Sequence, residues 1–267
     1  MRPAERRARV AAVFDQVAGV YDQVGVPWFQ PIAGELVRRL APVPGERAVD
    51  IGCGRGAALF ALAEAVGPGG WADGIDLAPR MVSESTAEAR RRGLTSVGLH
   101  VMDAMTPQLP AGSYDVLAAS FVLFFLPAPM AALRAWRKLL RPGGRLGLST
   151  FAQSQSGALE EVFRPFLPRP AFGPDTFASD EGVERLLTTA GLVNVRTSVF
   201  EFEAEFSGVG QWLAWSWSHG QRAVWEQIPA ADHGLVRAAA ADHLERHRCA
   251  DGPIRLPQRI RITLAAR

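Results

Sequence analysis

The chain is short of several features whose abundance would settle its class. Its 267 residues include 2 cysteines, Cys53 and Cys249. These are too few for a disulfide framework and lack metal-ligand spacing, so a reducing cytoplasm is the expected compartment. Charge of one sign is also lacking: 29 basic residues face 27 acidic ones for a formal net charge of +2, which gives no sequence-wide argument for binding nucleic acid or membrane. The clearest basic cluster, Arg2, Arg6, Arg7 and Arg9, is interleaved with Ala and Glu and reads as a solvated helical face. The longest apolar stretch, around Val116 to Met130, is broken by Ser120, Pro127 and Pro129, and no continuous apolar segment follows the N-terminal charges, so a soluble, unsecreted protein is expected. Repeats, low-complexity tracts, a nucleophile elbow and a His-Glu zinc helix are missing too, and no metal site stands out. What is present is a hydrophobic content of 48%, enough for a full core in one elaborated domain or a domain with a large insertion.

From Gly45 to Phe151 short apolar runs alternate with helical patterns, the rhythm of a parallel sheet covered on both faces. Strands are expected at Arg47 to Ile51, Trp71 to Asp76, Val97 to Met102, Tyr114 to Ala119 and Arg145 to Phe151. Helices fall between them, near Ala57 to Val66, Pro79 to Arg92 and Pro129 to Leu140, punctuated by Pro at their starts and Gly past their ends. Pro142, Gly143 and Gly144 read as the turn into strand five. A Ser/Gln/Gly stretch and a Pro-rich segment come next, then a helix from near Ser179 to Gly191 and a sixth strand over Leu192 to Phe206. Ile254 to Leu264 makes a seventh, beyond a helical insertion.

The segment Val49-Asp50-Ile51-Gly52-Cys53-Gly54-Arg55-Gly56 runs from a strand through glycines into a helix, which predicts a ligand site where backbone must approach closely. Gly52, Gly54 and Ala57 also satisfy the spacing of a dinucleotide fingerprint, with Asp76 about 20 residues on, so the loop by itself cannot choose a cofactor. Its surroundings favour a cationic, phosphate-free one. A carboxylate at Asp50 would attract a ligand ammonium and repel a pyrophosphate, and Asp103 ends the third strand.

In this order the segments resemble the class I S-adenosylmethionine-dependent methyltransferases of small-molecule type, over roughly Gly45 to Phe151 and more weakly to the end. VDIGCGRGA is similar to the family's first motif, GIDLAPRM to its second-strand motif, VMDA to its third, and LLRPGGRLGLSTF to the turn before strand five. The resemblance implies that Gly52, Cys53 and Gly54 cradle the amino-acid part of S-adenosylmethionine through their backbone, and that Asp76 accepts from the ribose hydroxyls. It further implies that Leu77 and Met81 pack on the adenine, that Asp103 takes its exocyclic amine with Ala104 adjacent, and that Ser120 and Phe121 lie near the methionine moiety. The Asn/Asp-Pro-Pro-aromatic motif of amino-directed relatives is missing after strand four, where the chain reads Ser120-Phe121-Val122-Leu123. That leaves oxygen or carbon of a small molecule ahead of nucleobase nitrogen.

Residues Phe14 to Asp22 resemble the N-terminal lid of such enzymes, with Tyr21 a catalytic or carboxylate-binding candidate and Phe29 and Gln30 completing the lid. The insertion carries Trp212, Trp215, Trp217 and Trp225, and helical spacing would place Trp212, Trp215, His219 and Arg222 on one face. Such a wall suits an aromatic, polyketide-like or terpenoid acceptor, with His219 available to take a hydroxyl proton; a packing helix with a surface histidine fits the same pattern. His233, His243 and His247 read as solvated. The expected architecture is a doubly wound seven-stranded α/β sheet with its last strand antiparallel: residues 1–44 as lid, 45–206 and 252–267 as cofactor domain, 207–251 as substrate cap. The expected activity is methyl transfer to a small metabolite. A methyltransferase-like enzyme of non-methylating chemistry, such as cyclisation, or one that modifies RNA are the competing readings.

Overall fold

The computed structural model describes residues 3–152, 159–167 and 175–267. Arg2, and most of the Ser/Gln/Gly and Pro-rich stretches expected after strand five, lie outside the described residues. Two helices, α1 (Pro3–Val17) and α2 (Phe29–Leu40), precede β1 (Arg47–Ile51), α3 (Ala57–Val66), β2 (Trp71–Asp76), α4 (Pro79–Arg91), β3 (Val97–Val101) and β4 (Tyr114–Ser120). The chain continues through α5 (Pro129–Leu139), β5 (Leu140–Phe151), α6 (Asp180–Thr189) and β6 (Val193–Phe206). It closes with α7 (Val209–Trp217), α8 (Arg222–Trp225), α9 (His233–Glu245) and β7 (Ile254–Ala266). The strands form one seven-stranded sheet in the order β3-β2-β1-β4-β5-β7-β6. Only β7 runs against its neighbours β5 and β6.

The strand parity explains the two-sided core. Ala48, Ala72, Val116 and Ala118 pack on one side with α2 and α3, while Val49, Ile51, Ile75, Leu117 and Ala119 pack on the other with α5 and α6. In α2 the buried set Ile32, Ala33, Leu36, Val37 and Leu40 follows helical spacing and faces the sheet. Local signals end and start the helices: Pro79 and Pro129 sit in the first turns of α4 and α5, and the Ser179 hydroxyl caps α6 by accepting from the Gly182 N–H.

Two expectations are corrected. Pro142-Gly143-Gly144 is not a turn ahead of β5 but an irregularity inside it: the pairing with β4 shifts between Tyr114/Leu140 and Val116/Arg145, and Gly143 takes φ +79°. The insertion is not one continuous helical face either, since α7 ends at Trp217 and α8 starts at Arg222. Its Trp212, Trp215, Val224, Trp225 and Leu244 join the same apolar cluster as α2 and α3, so the insertion shares the core of the sheet.

The strand order reverses between β1 and β4, which places a crevice at their carboxyl ends. Gly52 follows β1 and Ser120 ends β4, and both line that crevice.

Candidate functional site

The glycine loop is shaped by close approach. Gly52 adopts φ +70°, and a Cβ there would lie 2.4 Å from Val122 Cγ2. Gly54 adopts φ +50° beneath the Tyr21 ring. The loop's amides are spent inside the protein: Gly52 and Cys53 both donate to the Ile75 carbonyl, at 2.8 and 2.9 Å, and Gly54 donates to Asp76 Oδ2 at 2.9 Å. Of the three carbonyls, that of Cys53 accepts from Gly56 N and that of Gly54 from Ser85 Oγ. The Gly52 carbonyl has no hydrogen bond from a described residue. Asp76 Oδ1 accepts from Ala78 N at 2.9 Å, so the carboxylate is fixed at the cavity wall, and burial raises its pKa despite the amides that bind it.

Asp50 does something other than expected. Its parity directs it toward α3, where the Leu59 amide partly offsets the rise in its pKa while Oδ1 stays buried without a partner. Desolvation first, and the nearby Asp76 second, push its pKa up to about 8. An internal carboxyl group thus faces the first turn of α3, beside the helix terminus a pyrophosphate would need.

The crevice opens into a cavity of about 710 Å³. Gly52, Gly54, Asp76, Leu77, Asp103, Ala104, Ser120 and Phe121 line one end, and Tyr21, Phe29, Trp212, Trp215 and His219 line the continuation. A train of rings crosses it: Tyr21 stacks on Phe29 at 4.6 Å, Phe29 meets His219 edge-on at 5.8 Å, and His219 lies 4.3 Å from Trp215. Phe121 holds a left-handed φ of +56° and packs 4.9 Å from Phe151, a strained conformation placed beside a ligand space. Ser120 Oγ pairs with Ser149 Oγ at 2.7 Å.

Five expected site residues do not reach the cavity. Asp50 is turned into α3. The Cys53 side chain is buried against Gly74, and its amide is already committed to Ile75. Met81 packs with Val17, Ala18 and Ala78 beneath α1. Gln30 is exposed and lines a separate depression with Asp22, whose raised pKa it partly offsets. Arg222, beyond the break after α7, pairs with Glu226 at 2.8 Å and lies over the Trp217 ring. Conversely, Arg7 was read as solvated, yet it donates to Asp103 Oδ2 at 2.8 Å and lines the cavity. His243 on α9 and His247, two residues beyond it, also line it, and His243 Nδ1 lies 3.0 Å from Glu161 Oε2. The His233 ring is tied to the Trp225 and Ile228 carbonyls. Trp28, Phe124, Phe125 and Phe151 complete the aromatic wall without a sequence signal, because they come from three separate segments.

A family model described as a methyltransferase domain matches residues 49–148. Over 260 residues the chain is 37% identical to nocamycin O-methyltransferase of Saccharothrix syringae, covering 91% of this chain and 92% of that one. The chain belongs to the S-adenosylmethionine-dependent methyltransferases. This methyltransferase is also 43% identical over 178 residues to aklanonic acid methyltransferase DauC of Streptomyces sp. (strain C5), covering 65% of this chain and 76% of that one. In fold it is similar to phosphoethanolamine N-methyltransferase 2 of Haemonchus contortus, solved with S-adenosyl-L-methionine. The TM-score there is 0.59 at 15% identity, over 89% of this chain and 52% of that one.

The residues present fit that cofactor. The loop offers a carbonyl and carboxylate oxygens to a cationic ligand, and its own amides are unavailable to a phosphate. Among the described residues no helix is long and apolar enough to cross a membrane.

Proposed function

We propose that the methyltransferase acts on a hydroxyl oxygen of an aromatic or enolic, polyketide-like small molecule, with His219 as the base. The observation that carries this reading is the tautomer of His219. Its Nδ1 lies 2.7 Å from the Trp215 carbonyl, an acceptor, so Nδ1 holds the proton and Nε2 keeps its lone pair. Desolvation lowers the His219 pKa to about 4 against the smaller opposing effect of that carbonyl, so the ring is neutral at physiological pH. The names of the two curated relatives, one an O-methyltransferase and one acting on aklanonic acid, support the same class.

In this reading Asp76 binds the ribose hydroxyls, Leu77 and Ala104 flank the adenine, and Asp103 takes its amine. The Gly52 carbonyl receives the ligand ammonium. Tyr21, whose phenol pKa is raised by burial and then by Asp22 and Asp76, stays protonated and serves as a donor. Helix α1 and the segment leading to α2 form a lid, and residues 207–251 wall the acceptor site.

Bound S-adenosylmethionine supplies an electrophilic methyl on a sulfonium leaving group. The aromatic walls hold the acceptor oxygen in line and keep water out. His219 Nε2 takes the hydroxyl proton as the new C–O bond forms and the S–C bond electrons return to sulfur. The proton then passes from the imidazole to solvent.

The test is mass spectrometry of products from phenolic and enolic polyketide acceptors incubated with methyl-labelled cofactor. One labelled methyl on oxygen per thioether formed is expected. The His219→Ala variant is expected to lose roughly 10²-fold or more in kcat while binding S-adenosylhomocysteine within about twofold of wild type. Product of unchanged mass, or an unaffected kcat, would overturn the reading.

A further inference from the structure

The acceptor side of the cavity carries an unusual pair of atoms. Among the described residues the buried side-chain atoms without any hydrogen-bond partner are Asp50 Oδ1, Arg261 Nη2, Trp215 Nε1 and Gln221 Oε1. The last two belong to residues of one cavity wall and flank His219 in the chain. One is an obligate donor and the other an acceptor.

Packing does not account for them. The Trp215 ring is held by Trp28, Phe206 and His219, at 5.8, 5.4 and 4.3 Å, contacts that a phenyl ring would also make. Four other indoles are paired: Trp28 Nε1 donates to Gln258 Oε1, Trp71 to Asp73 Oδ1, Trp136 to the Ala104 carbonyl and Trp225 to Ser216 Oγ. Burying an N–H and a C=O unpaired is costly, and the cost is recovered when a ligand supplies the missing partners.

We propose that Trp215 Nε1 and Gln221 Oε1 determine acceptor specificity by reading a carbonyl and a second hydroxyl on a planar hydroxylated aromatic ketone or quinone. The indole N–H donates to the carbonyl oxygen. The Gln221 oxygen accepts from a hydroxyl other than the one presented to His219. An acceptor that presents a carbonyl and a second hydroxyl to this wall pairs both atoms, and one lacking either group leaves an atom unpaired. Discrimination of this kind exceeds what an apolar pocket achieves by shape. The inference rests on reading the His219 wall as the acceptor site.

The experiment is calorimetric titration of the full chain, saturated with S-adenosylhomocysteine, using tetralin, 1-tetralone and the isomeric hydroxy-1-tetralones. Wild type is expected to bind 1-tetralone about five- to tenfold tighter than tetralin, and the best hydroxy isomer tighter again by a similar factor. Trp215→Phe is expected to bring the ketone's advantage over tetralin below twofold, and Gln221→Leu to do the same to the hydroxyl's advantage. In both variants tetralin and S-adenosylhomocysteine keep their wild-type affinity, which shows that the fold and the cofactor end are intact. Preferences that survive both substitutions would overturn the proposal. Failure of every probe to bind, tetralin included, would overturn the acceptor-site reading itself and the proposal with it.

Discussion

At the scale of single residues, Asp50 shows both what the sequence discloses and what it withholds. Its charge and its place before the glycines are plain in the sequence, and they correctly speak against a pyrophosphate. The reason lies elsewhere, in a buried carboxyl group that faces the first turn of α3. Strand parity with Ala48, on the α3 side of β1, was the available signal, and attention to charge alone passes over it. Because the folded pKa is raised to about 8, the unfolded chain ionises first as pH rises. The stability Asp50 contributes is complete below about pH 4 and declines up to about pH 8. Asp50→Asn, which cannot ionise, is therefore expected to gain in melting temperature relative to wild type as pH goes from 4 to 8. A difference that stays flat across that range would remove the assigned shift. His219 was legible from aromatic spacing, but its tautomer was not, since that depends on the Trp215 carbonyl coming within 2.7 Å of Nδ1.

At the scale of elements, the strands and helices of the sheet were readable because each buried segment is bounded by Gly or Pro. Their observed limits lie within a few residues of the sequence reading, apart from the early start of β5. Helical periodicity failed beyond Trp217, where Gly220 turns the chain against Phe14 and Phe125; a Cβ at that position would stand 3.4 Å from each ring. Periodicity also gave Arg7 to solvent, because the partner that captures it is 96 residues away. Three polar contacts fasten α1 and the residue after it to the sheet domain: Arg7 to Asp103, Asp15 Oδ1 to the Arg80 amide at 2.9 Å, and Arg55 to the Ala18 carbonyl at 2.7 Å. The first is a half-exposed ion pair worth roughly 0.2–1 kcal/mol. Arg7→Ala is expected to speed S-adenosylhomocysteine release about two- to fivefold in stopped-flow displacement. High salt should speed the wild type similarly while leaving the variant unchanged. Equal release rates in wild type and variant would detach this ion pair from the lid.

At the scale of the whole molecule, the doubly wound sheet followed from the alternation of its segments. The continuity of the core did not, for nothing in residues 207–251 announces that Trp212 and Trp225 pack in the same cluster as α2 and α3. Arg261 adds a second long-range tie: fully buried in β7, it donates to Asp180 and to the Phe151 and Phe177 carbonyls. The two covers of the cavity also touch each other, since Phe14 of α1 lies against Gly220 of the segment between α7 and α8. This contact predicts that the two open together and that thioether and methylated product leave through one shared opening. Egress is then expected to be slower than bond making. Turnover is then paced by friction with the medium: kcat is expected to fall in proportion to the microviscosity set by added sucrose, and a kcat indifferent to sucrose would return control to the chemical step.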